Sequence, residues 1–378
     1  MSKKSVLFVC PDYHTSFIYR DAFRSEGWTA DIYVPFNHPD HLLFSREGIL
    51  RARGLSGDGV IARSFNVISA FMYFNVISFR YKHQIHYGAL STGLLLENQL
   101  ASRGLIRKSF LLSLQIAKIL KKKIIYIPSG CRDEELRTEF EKLDNGSVCG
   151  NCGYSDRCSD QNIVPNLDRV SRYADLVLGS GFFEASKLLT VHFKYKVIDL
   201  KRWTPSESIE NDPGKKLRIL HSYSLGTRSY KNLNIKGSVE IIEAIKRLAD
   251  EFPHVELMEV SGVRPEEMVL QQQRADIVVD QLRYGYWGST GIEAMALGKV
   301  LVCYVRPSWK EFFLKQFPEH KDIPVVHATP DDIYEVLRQL VLDKSKRDEL
   351  SRASRAFAEK QYDPILNTRE FIRILESL

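Results

Sequence analysis

At 378 residues the chain is longer than a single hydrophobic core usually covers, so two domains are expected. Its 44% hydrophobic and 26% charged residues are ordinary for a globular protein and argue against long disorder. Residues 1–130 carry a net charge of +9 and residues 131–378 a net charge of −3. The basic first part could attract an anionic membrane surface or an acidic saccharide, or be an ordinary solvated surface. No nucleic-acid-binding motif accompanies the charge, so a nucleic-acid partner is not expected.

Two apolar stretches bear on location. The run at residues 6–9 is too short for the core of a signal peptide. The uncharged stretch between Arg63 and Arg80 is shorter than the roughly 20 apolar residues of a spanning helix, and we interpret it as a buried or interfacial helix. The protein is therefore expected in the cytoplasm, with peripheral association at the inner face of the membrane as an option.

The first half alternates strands and helices, which predicts a parallel sheet. Strands are predicted at residues 5–10, 30–34, 84–87, 123–127 and 176–178, and helices at 16–25 and 109–120 and around 167–173. A polar stretch at 204–216 with two prolines reads as a linker.

The second half repeats the alternation. Strands are predicted at 217–221, 255–260, 277–279 and 300–304, helices at 239–252 and 291–297, and a largely helical end from 345 to 378. The pattern predicts an α/β protein with two Rossmann-like, doubly wound lobes, which bind ligands at the carboxyl ends of their strands. The predicted domains are 1–203, 217–350 and a helical segment, 351–378, that packs back toward the first lobe.

A glycine-rich turn precedes one predicted helix of the second lobe. Gly285, Gly288 and Gly291 stand before or at the start of this helix, and Glu293 lies near its first turn. Glycines let backbone amides approach an anion, and a helix N-terminus adds a partial positive charge of roughly +0.5. The pattern favours phosphate binding, with Glu293 accepting hydrogen bonds from ribose hydroxyls. Alternatively, the segment is a glycine-rich turn in which Glu293 complements the helix dipole.

Several motifs of the second half together resemble a known family. They are His221-Ser222, Lys236-Gly237, Ala275-Asp276, Asp280-Gln281-Leu282, and Gly288 to Gly298 with Glu293-Ala294-Met295-Ala296 and Gly298-Lys299. This half resembles the donor lobe of the GT-B glycosyltransferases of family 4. The resemblance implies two lobes facing a central cleft and retaining transfer of a sugar from a nucleotide sugar, as co-substrate, to a glycan, a lipid-linked or a small-molecule acceptor. It also implies that no catalytic divalent metal is used.

The resemblance assigns roles to individual residues. Glu293 would bind the ribose and Lys236 the diphosphate, with Arg228 or Lys231 assisting. A second glutamate often found seven residues before Glu293 is replaced here by Tyr286. The sugar would then be held by the amides of the turn and by Tyr286, or Tyr286 would only pack. The turn residues in question are Gly288, Ser289 and Thr290.

A histidine of the first lobe could take part in the reaction. His86, at the end of a predicted strand, could contact the sugar or orient the acceptor hydroxyl, and His14 is the rival candidate. The predicted catalytic set is thus His86, Lys236 and Glu293.

Four of the six cysteines fall within 28 residues, at Cys131, Cys149, Cys152 and Cys158. The Cys149–Cys152 spacing is typical of a metal knuckle, and four thiolates suit structural zinc. An iron–sulfur cluster and unmodified thiols are the alternatives. Cys10 and Cys303 read as core residues. We predict a structural ion that braces the loop 131–158 in the first lobe.

Two other functions share these features. A sugar-nucleotide epimerase or hydrolase could use the same fold, and would turn over without an acceptor. A non-catalytic, zinc-bearing module could use the basic part to bind a membrane or polyanion, and would not depend on Glu293 or Lys236.

Overall fold

A computed structural model describes residues 4–9, 15–33, 49–50, 72–80, 117–127, 136–152, 158–179, 182, 190–192, 196–205, 216–223 and 235–378. The chain divides into two compact units. The first comprises Met1–Glu139, Cys158–Val197 and Pro364–Leu378, and the second Phe140–Arg157 and Ile198–Asp363.

The first unit is built on a parallel sheet. Its strands are β1 (Ser5–Val9), β2 (Thr29–Tyr33), β3 (Ile49–Leu50), β4 (Val76–Arg80), β5 (Lys123–Ile127), β6 (Leu176–Gly179) and β7 (Thr190–His192), in the order β3-β2-β1-β4-β5-β6-β7. This order reverses direction between β1 and β4, as in a Rossmann sheet.

The second unit holds a five-stranded parallel sheet. Its strands are β8 (Leu217–Tyr223), β9 (Val255–Ser261), β10 (Ile277–Val279), β11 (Val300–Cys303) and β12 (Val325–His327), in the order β9-β8-β10-β11-β12. The chain order along the sheet reverses between β8 and β10, and such a switch point leaves a crevice at the carboxyl ends of the two strands.

Helices connect these strands. The described helices are α1 (Thr15–Ser25), α2 (Arg137–Glu141), α3 (Ser147–Gly150), α4 (Asp160–Tyr173), α5 (Ser238–Glu251), α6 (Pro265–Arg274), α7 (Ser289–Ala296), α8 (Pro307–Gln316), α9 (Ile333–Leu342), α10 (Lys344–Gln361) and α11 (Pro364–Ser377). The prediction of two doubly wound α/β lobes is confirmed. Across the described segments, no helix combines the length and apolar character needed to cross a bilayer.

The interpretation of residues 63–80 as a helix is wrong at its carboxyl end. Val76–Arg80 is strand β4, which pairs with both β1 and β5 inside the first sheet. A strand buried between two neighbours need not alternate polar and apolar residues, so its apolar run cannot be told from a buried helix by periodicity. The predicted strand at 84–87 lies outside the described residues.

The same aspartate arrangement sets the strand register in both sheets. Asp175, just before β6, exchanges backbone and side-chain hydrogen bonds with Ile124 of β5. Asp276, just before β10, does the same with Arg218 of β8. Each carboxylate accepts the amide of the neighbouring strand, at 2.7 Å and 2.8 Å respectively, so no buried donor is left without an acceptor there.

The C-terminal helix α11 belongs to the first unit, as predicted. Phe371 is fully buried and its ring meets those of Tyr19 and Phe23 of α1 edge to face, at centroid distances of 5.7 Å and 5.4 Å. Aromatic pairs in this geometry stabilise beyond the area that they bury. The end of the chain is therefore part of the first hydrophobic core.

The division also differs from the predicted domain boundaries. Residues 140–157, which carry Cys149 and Cys152, group with the second unit and not with the first. The stretch 198–203 also joins the second unit, where Trp203 is fully buried and its carbonyl accepts a 2.7 Å hydrogen bond from Arg355 of α10.

Replacing Phe371 tests the role of α11. We expect Phe371→Ala to lower the free energy of unfolding of the first unit by about 3–5 kcal/mol, because a large cavity opens against Tyr19 and Phe23. Urea denaturation followed by near-ultraviolet circular dichroism measures the change. Leu366→Ala on the exposed side of α11 is the control and should change stability by less than about 0.5 kcal/mol. Equal effects of the two substitutions would contradict this account of the core.

Candidate functional site

The polar residues of the second unit converge at the switch point between β8 and β10. Ser222 lies near the carboxyl end of β8, and Asp280 directly follows β10. The N-terminus of α7 follows the glycine-rich turn after β10, and Lys236 precedes α5. Four separated parts of the sequence thus meet where the fold leaves a crevice.

A buried carboxylate joins these parts. One oxygen of Asp280 lies 3.1 Å from Lys236 Nζ, and the other accepts the backbone amide of Gly288 at 2.6 Å. Lys236 Nζ also donates to the Ser222 carbonyl at 2.9 Å. Asp280 is only 1% exposed, and such a carboxylate is stable only with charge-assisted hydrogen bonds of this kind.

The N-terminus of α7 has backbone donors to offer. Its N-cap residue is Gly288, which has no side chain to cap the helix. The amides of Ser289 and Thr290 open the helix and have no acceptor within it. Both residues are half-buried, and Thr290 Oγ1 lies 3.3 Å from Ser222 Oγ. Because the Gly288 amide is bonded to Asp280, an anion arriving here would meet Ser289 and Thr290 first.

Two glycines of the turn are required for packing. A Cβ at Gly291 would stand 2.7 Å from Trp287 Cβ and 3.0 Å from a methyl of Leu301, so only glycine lets α7 approach β11 this closely. Gly285 has φ +108°, and a Cβ there would stand 2.5 Å from the guanidinium of Arg306. The spacing of these glycines therefore reflects close packing as well as anion approach.

Glu293 points into the second unit from the first turns of α7. It is 2% exposed, and Oε2 accepts a 2.8 Å hydrogen bond from Nε2 of Gln272 on α6. Gln272 is itself fully buried. Glu293 and Lys236 therefore belong to the same unit. Gln272 is a neighbour of Glu293 that the sequence analysis missed.

His221 lies beneath the site, and sequence reasoning did not single it out as a site residue. Its Nδ1 lies 2.9 Å from the Val279 carbonyl and its Nε2 lies 2.8 Å from Ser238 Oγ. Complete burial, together with the nearby charge of Lys236, lowers the pKa of His221 to about 3. The imidazole is therefore neutral at physiological pH, with the Nδ1 proton donated to the carbonyl and Nε2 accepting from the serine. Its position directly after the apolar pair Ile219-Leu220 of β8 was the signal that could have found it.

Tyr286 belongs to an aromatic cluster. Its ring stacks on Trp309 of α8 at a centroid distance of 4.9 Å and meets Tyr284 edge to face at the same distance. Its backbone carbonyl accepts a hydrogen bond from the Gln281 side chain. Neighbouring Trp287 donates from Nε1 to Tyr362 at 2.9 Å. These contacts hold the Tyr286 ring against Trp309 and Tyr284 and fix the shape of the turn, and its contact with the donor sugar stays a prediction.

A second buried charge ties residues 140–150 to this unit. Arg306, 3% exposed, donates to Asp144 at 3.0 Å and 2.8 Å, and Tyr304 donates to the other Asp144 oxygen at 2.7 Å. Burial and the bonded carboxylate raise the pKa of Tyr304 to about 12. The Phe140 ring also contacts Tyr284 at 5.6 Å. Residues 140–150 therefore lie against the segment that leads into the glycine-rich turn.

Other predicted site residues lie outside the described part of the chain. These are Cys131, His14, His86, Arg228 and Lys231. Cys149, Cys152 and Cys158 are described and half-buried, and the Cys152 amide donates to the Cys149 carbonyl at 3.2 Å in a tight turn. Within the described segments, no group of three or more His, Cys, Asp or Glu residues could hold a metal ion.

No protein-family model matches the chain, and no curated protein sequence matches it.

Solved structures resemble the chain over its whole length. Anabaena HepE, crystallised with UDP and glucose, matches with a TM-score of 0.63 and 13% identity, covering 100% of both chains. A glycosyltransferase from Rickettsia africae covers 100% of this chain and 99% of its own with a TM-score of 0.57 and 11% identity. The sucrose-phosphate synthase of Thermosynechococcus elongatus covers 99% of this chain and 98% of its own, with a TM-score of 0.57 and 12% identity. The chain has the GT-B fold. At these identities the likeness establishes the fold alone.

The buried histidine makes stability depend on pH. In the unfolded chain His221 takes up a proton below about pH 6.5, whereas the folded protein resists this until about pH 3, so its contribution to stability is complete above pH 6.5 and falls as the pH drops. We expect a loss of about 2 kcal/mol from this residue between pH 7 and pH 5. Urea unfolding at several pH values measures it, and His221→Gln should have the shallower slope. Identical slopes would show that His221 is not held neutral.

Proposed function

We propose that this protein is a glycosyltransferase that moves a sugar from a nucleotide-sugar donor, bound at the switch point of the second sheet, to an acceptor. The observation that carries the proposal is the joint presence, in a GT-B fold, of Lys236 and the α7 N-terminus at that crevice. Solved HepE structures carry UDP and UDP-glucose, which makes uridine nucleotides the first donors to test. Transfer with retention of anomeric configuration is part of the proposal and rests on the motif resemblance.

The proposed chemistry concerns the leaving group. When the bond between the sugar and the diphosphate breaks, negative charge builds on the diphosphate oxygens. The amides of Ser289 and Thr290 and the ammonium of Lys236 are fixed donors that would stabilise this charge without reorganising. In this scheme Glu293 binds the ribose hydroxyls, a role that requires its hydrogen bond with Gln272 to be exchanged or shared. No catalytic divalent metal is part of the scheme.

The acceptor side of the proposal rests on sequence alone. The acceptor is a glycan, a lipid-linked saccharide or a small molecule, and His86 or His14 would contact the sugar or the acceptor hydroxyl. Arg228 or Lys231 would assist Lys236 at the diphosphate. The charge of +9 on residues 1–130 supports peripheral association with an anionic membrane surface. A cytoplasmic location is part of the proposal and rests on the sequence.

A UDP-N-acetylglucosamine 2-epimerase structure also resembles the chain, with a TM-score of 0.50 and 11% identity. An epimerase would convert its nucleotide sugar without an acceptor and would release no nucleoside diphosphate in stoichiometric amount. Product analysis of each donor with and without acceptor therefore separates the two activities.

Donor binding is the test of the proposal. A thermal-shift screen of UDP-, GDP-, ADP- and dTDP-sugars should identify a donor that stabilises the protein, by about 2.7 kcal/mol at 100 times its dissociation constant. With that donor, Lys236→Met should lower kcat by about 100-fold or more, since loss of one such donor typically costs about 3 kcal/mol in the transition state. Nuclear magnetic resonance of the product reports the anomeric configuration.

The matched control is Lys310→Met, which removes a lysine from an exposed ion pair with Asp322 in the same unit and should leave kcat unchanged. A protein that binds no nucleotide sugar, or a Lys236→Met variant with full activity, would contradict the proposed function.

We also propose a structural zinc ion bound by Cys131, Cys149, Cys152 and Cys158. Support comes from the number and spacing of the cysteines and from the tight turn between Cys149 and Cys152, which suits a two-thiolate knuckle. Four thiolates fill the coordination shell of zinc, so the ion would brace this segment and take no part in the reaction.

Metal analysis tests the zinc site. Plasma emission spectrometry of protein purified without added metal should find one zinc per chain, and Cys152→Ser should lower that ratio to well below one. Cys303→Ser, at a buried cysteine outside the cluster, is the control and should retain the metal. An iron signal with visible absorbance, or wild-type protein without metal, would refute structural zinc.

A further inference from the structure

We propose that Asp280 is a positioning residue of the donor site, whose carboxylate fixes Lys236 and the first turn of α7 and serves as the counter-charge that the donor diphosphate replaces. This inference rests on the proposed function.

The geometry supports a positioning role because Asp280 contacts both Lys236 and the N-cap residue of α7, whose next two amides are the proposed diphosphate donors. Its two oxygens are divided between them, with one 3.1 Å from Lys236 Nζ and the other 2.6 Å from the Gly288 amide. A Cβ on Gly288 would lie 3.4 Å from Asp280 Oδ2, at ordinary van der Waals distance, so the turn lies directly against the carboxylate. The carboxylate therefore sets the distance between the ammonium and the helix N-terminus.

Two aspartates flank β10, and their contacts differ. Asp276, at the amino end of β10, bonds the backbone of Arg218 and completes the strand register. Asp280, at the carboxyl end, bonds a lysine and a turn at the switch point. Register alone explains Asp276. It does not explain why a 1% exposed carboxylate stands at the ligand-binding edge.

Charge gives Asp280 a second effect, which opposes the first. The carboxylate offsets the charge of Lys236 in the empty site, and nearby Arg283 is paired with Glu240 while His221 is neutral. An arriving diphosphate is therefore attracted less strongly than it would be by Lys236 without a carboxylate beside it. Asp280 should thus weaken ground-state binding of the diphosphate while holding the donors in the geometry that the reaction needs.

This opposition predicts an unusual separation of affinity from rate. Asp280→Asn keeps the size of the side chain and one acceptor oxygen but removes the charge. We expect the dissociation constant for a nucleoside diphosphate, measured by titration calorimetry with UDP, GDP and ADP in turn, to fall about threefold to tenfold in 50 mM salt. The change should shrink in 500 mM salt because screening weakens the Coulomb attraction. We expect kcat for sugar transfer to fall by at least about tenfold.

Two further variants keep the test decisive. Asp348→Asn removes a carboxylate from the exposed pair with Lys344 and should change neither affinity nor kcat. In the double variant Lys236→Met with Asp280→Asn, both charges of the pair are gone, so the protein should be at least as stable as the single Asp280→Asn variant. Without Lys236, the affinity gain from Asp280→Asn should disappear.

The outcomes distinguish this inference from the proposed function. Wild-type protein that binds none of the three nucleotides overturns the proposed function and this inference with it. Wild-type binding together with weaker binding by Asp280→Asn, or with unchanged affinity and kcat, overturns the positioning role alone. An affinity gain that persists in the double variant would also overturn it, since the effect would not act through Lys236.

Discussion

The hydrogen bonds of the Asp280 carboxylate hold together parts of the second unit that lie far apart in the sequence. Strand order creates the crevice between β8 and β10, but a crevice alone carries no charge. One Asp280 oxygen pairs with the Lys236 ammonium and the other accepts the Gly288 amide. The neutral His221 ring bonds the Val279 carbonyl and so links β8 to β10. The arrangement is a half-buried, preorganised set of donors, and preorganisation is what makes electrostatic stabilisation of a leaving group effective.

The fold was largely predictable from the sequence because it depends on local patterns. Alternation of apolar strands with amphipathic helices marked both doubly wound sheets, and the apolar spacing of the chain end marked a helix that packs on the first core. Strand β4 was misread because a strand buried on both faces lacks the two-residue period. The grouping of residues 140–157 with the second unit was out of reach, because it depends on Asp144 meeting Arg306, 162 positions away.

The candidate site was predictable in part. The motif Glu293-Ala294-Met295-Ala296 after a glycine-rich turn predicted the α7 N-terminus, and Asp280 links Lys236 to the turn that precedes this helix. Spacing did not reveal that Gly291 and Gly285 are needed where Trp287 and Arg306 press against the backbone. The spacing also did not predict that Asp280 accepts the Gly288 amide or that Gln272 donates to Glu293. Contacts between residues of different elements leave no periodic pattern in the sequence.

The central claim is that an anionic leaving group rests on the α7 N-terminus beside Lys236. A crystal structure of the protein with UDP tests it most directly. The account predicts diphosphate oxygens within hydrogen-bonding distance of the Ser289 and Thr290 amides and of Lys236 Nζ, with Asp280 displaced from the ammonium or sharing it. A diphosphate bound elsewhere, with the α7 turn blocked by side chains, would contradict it.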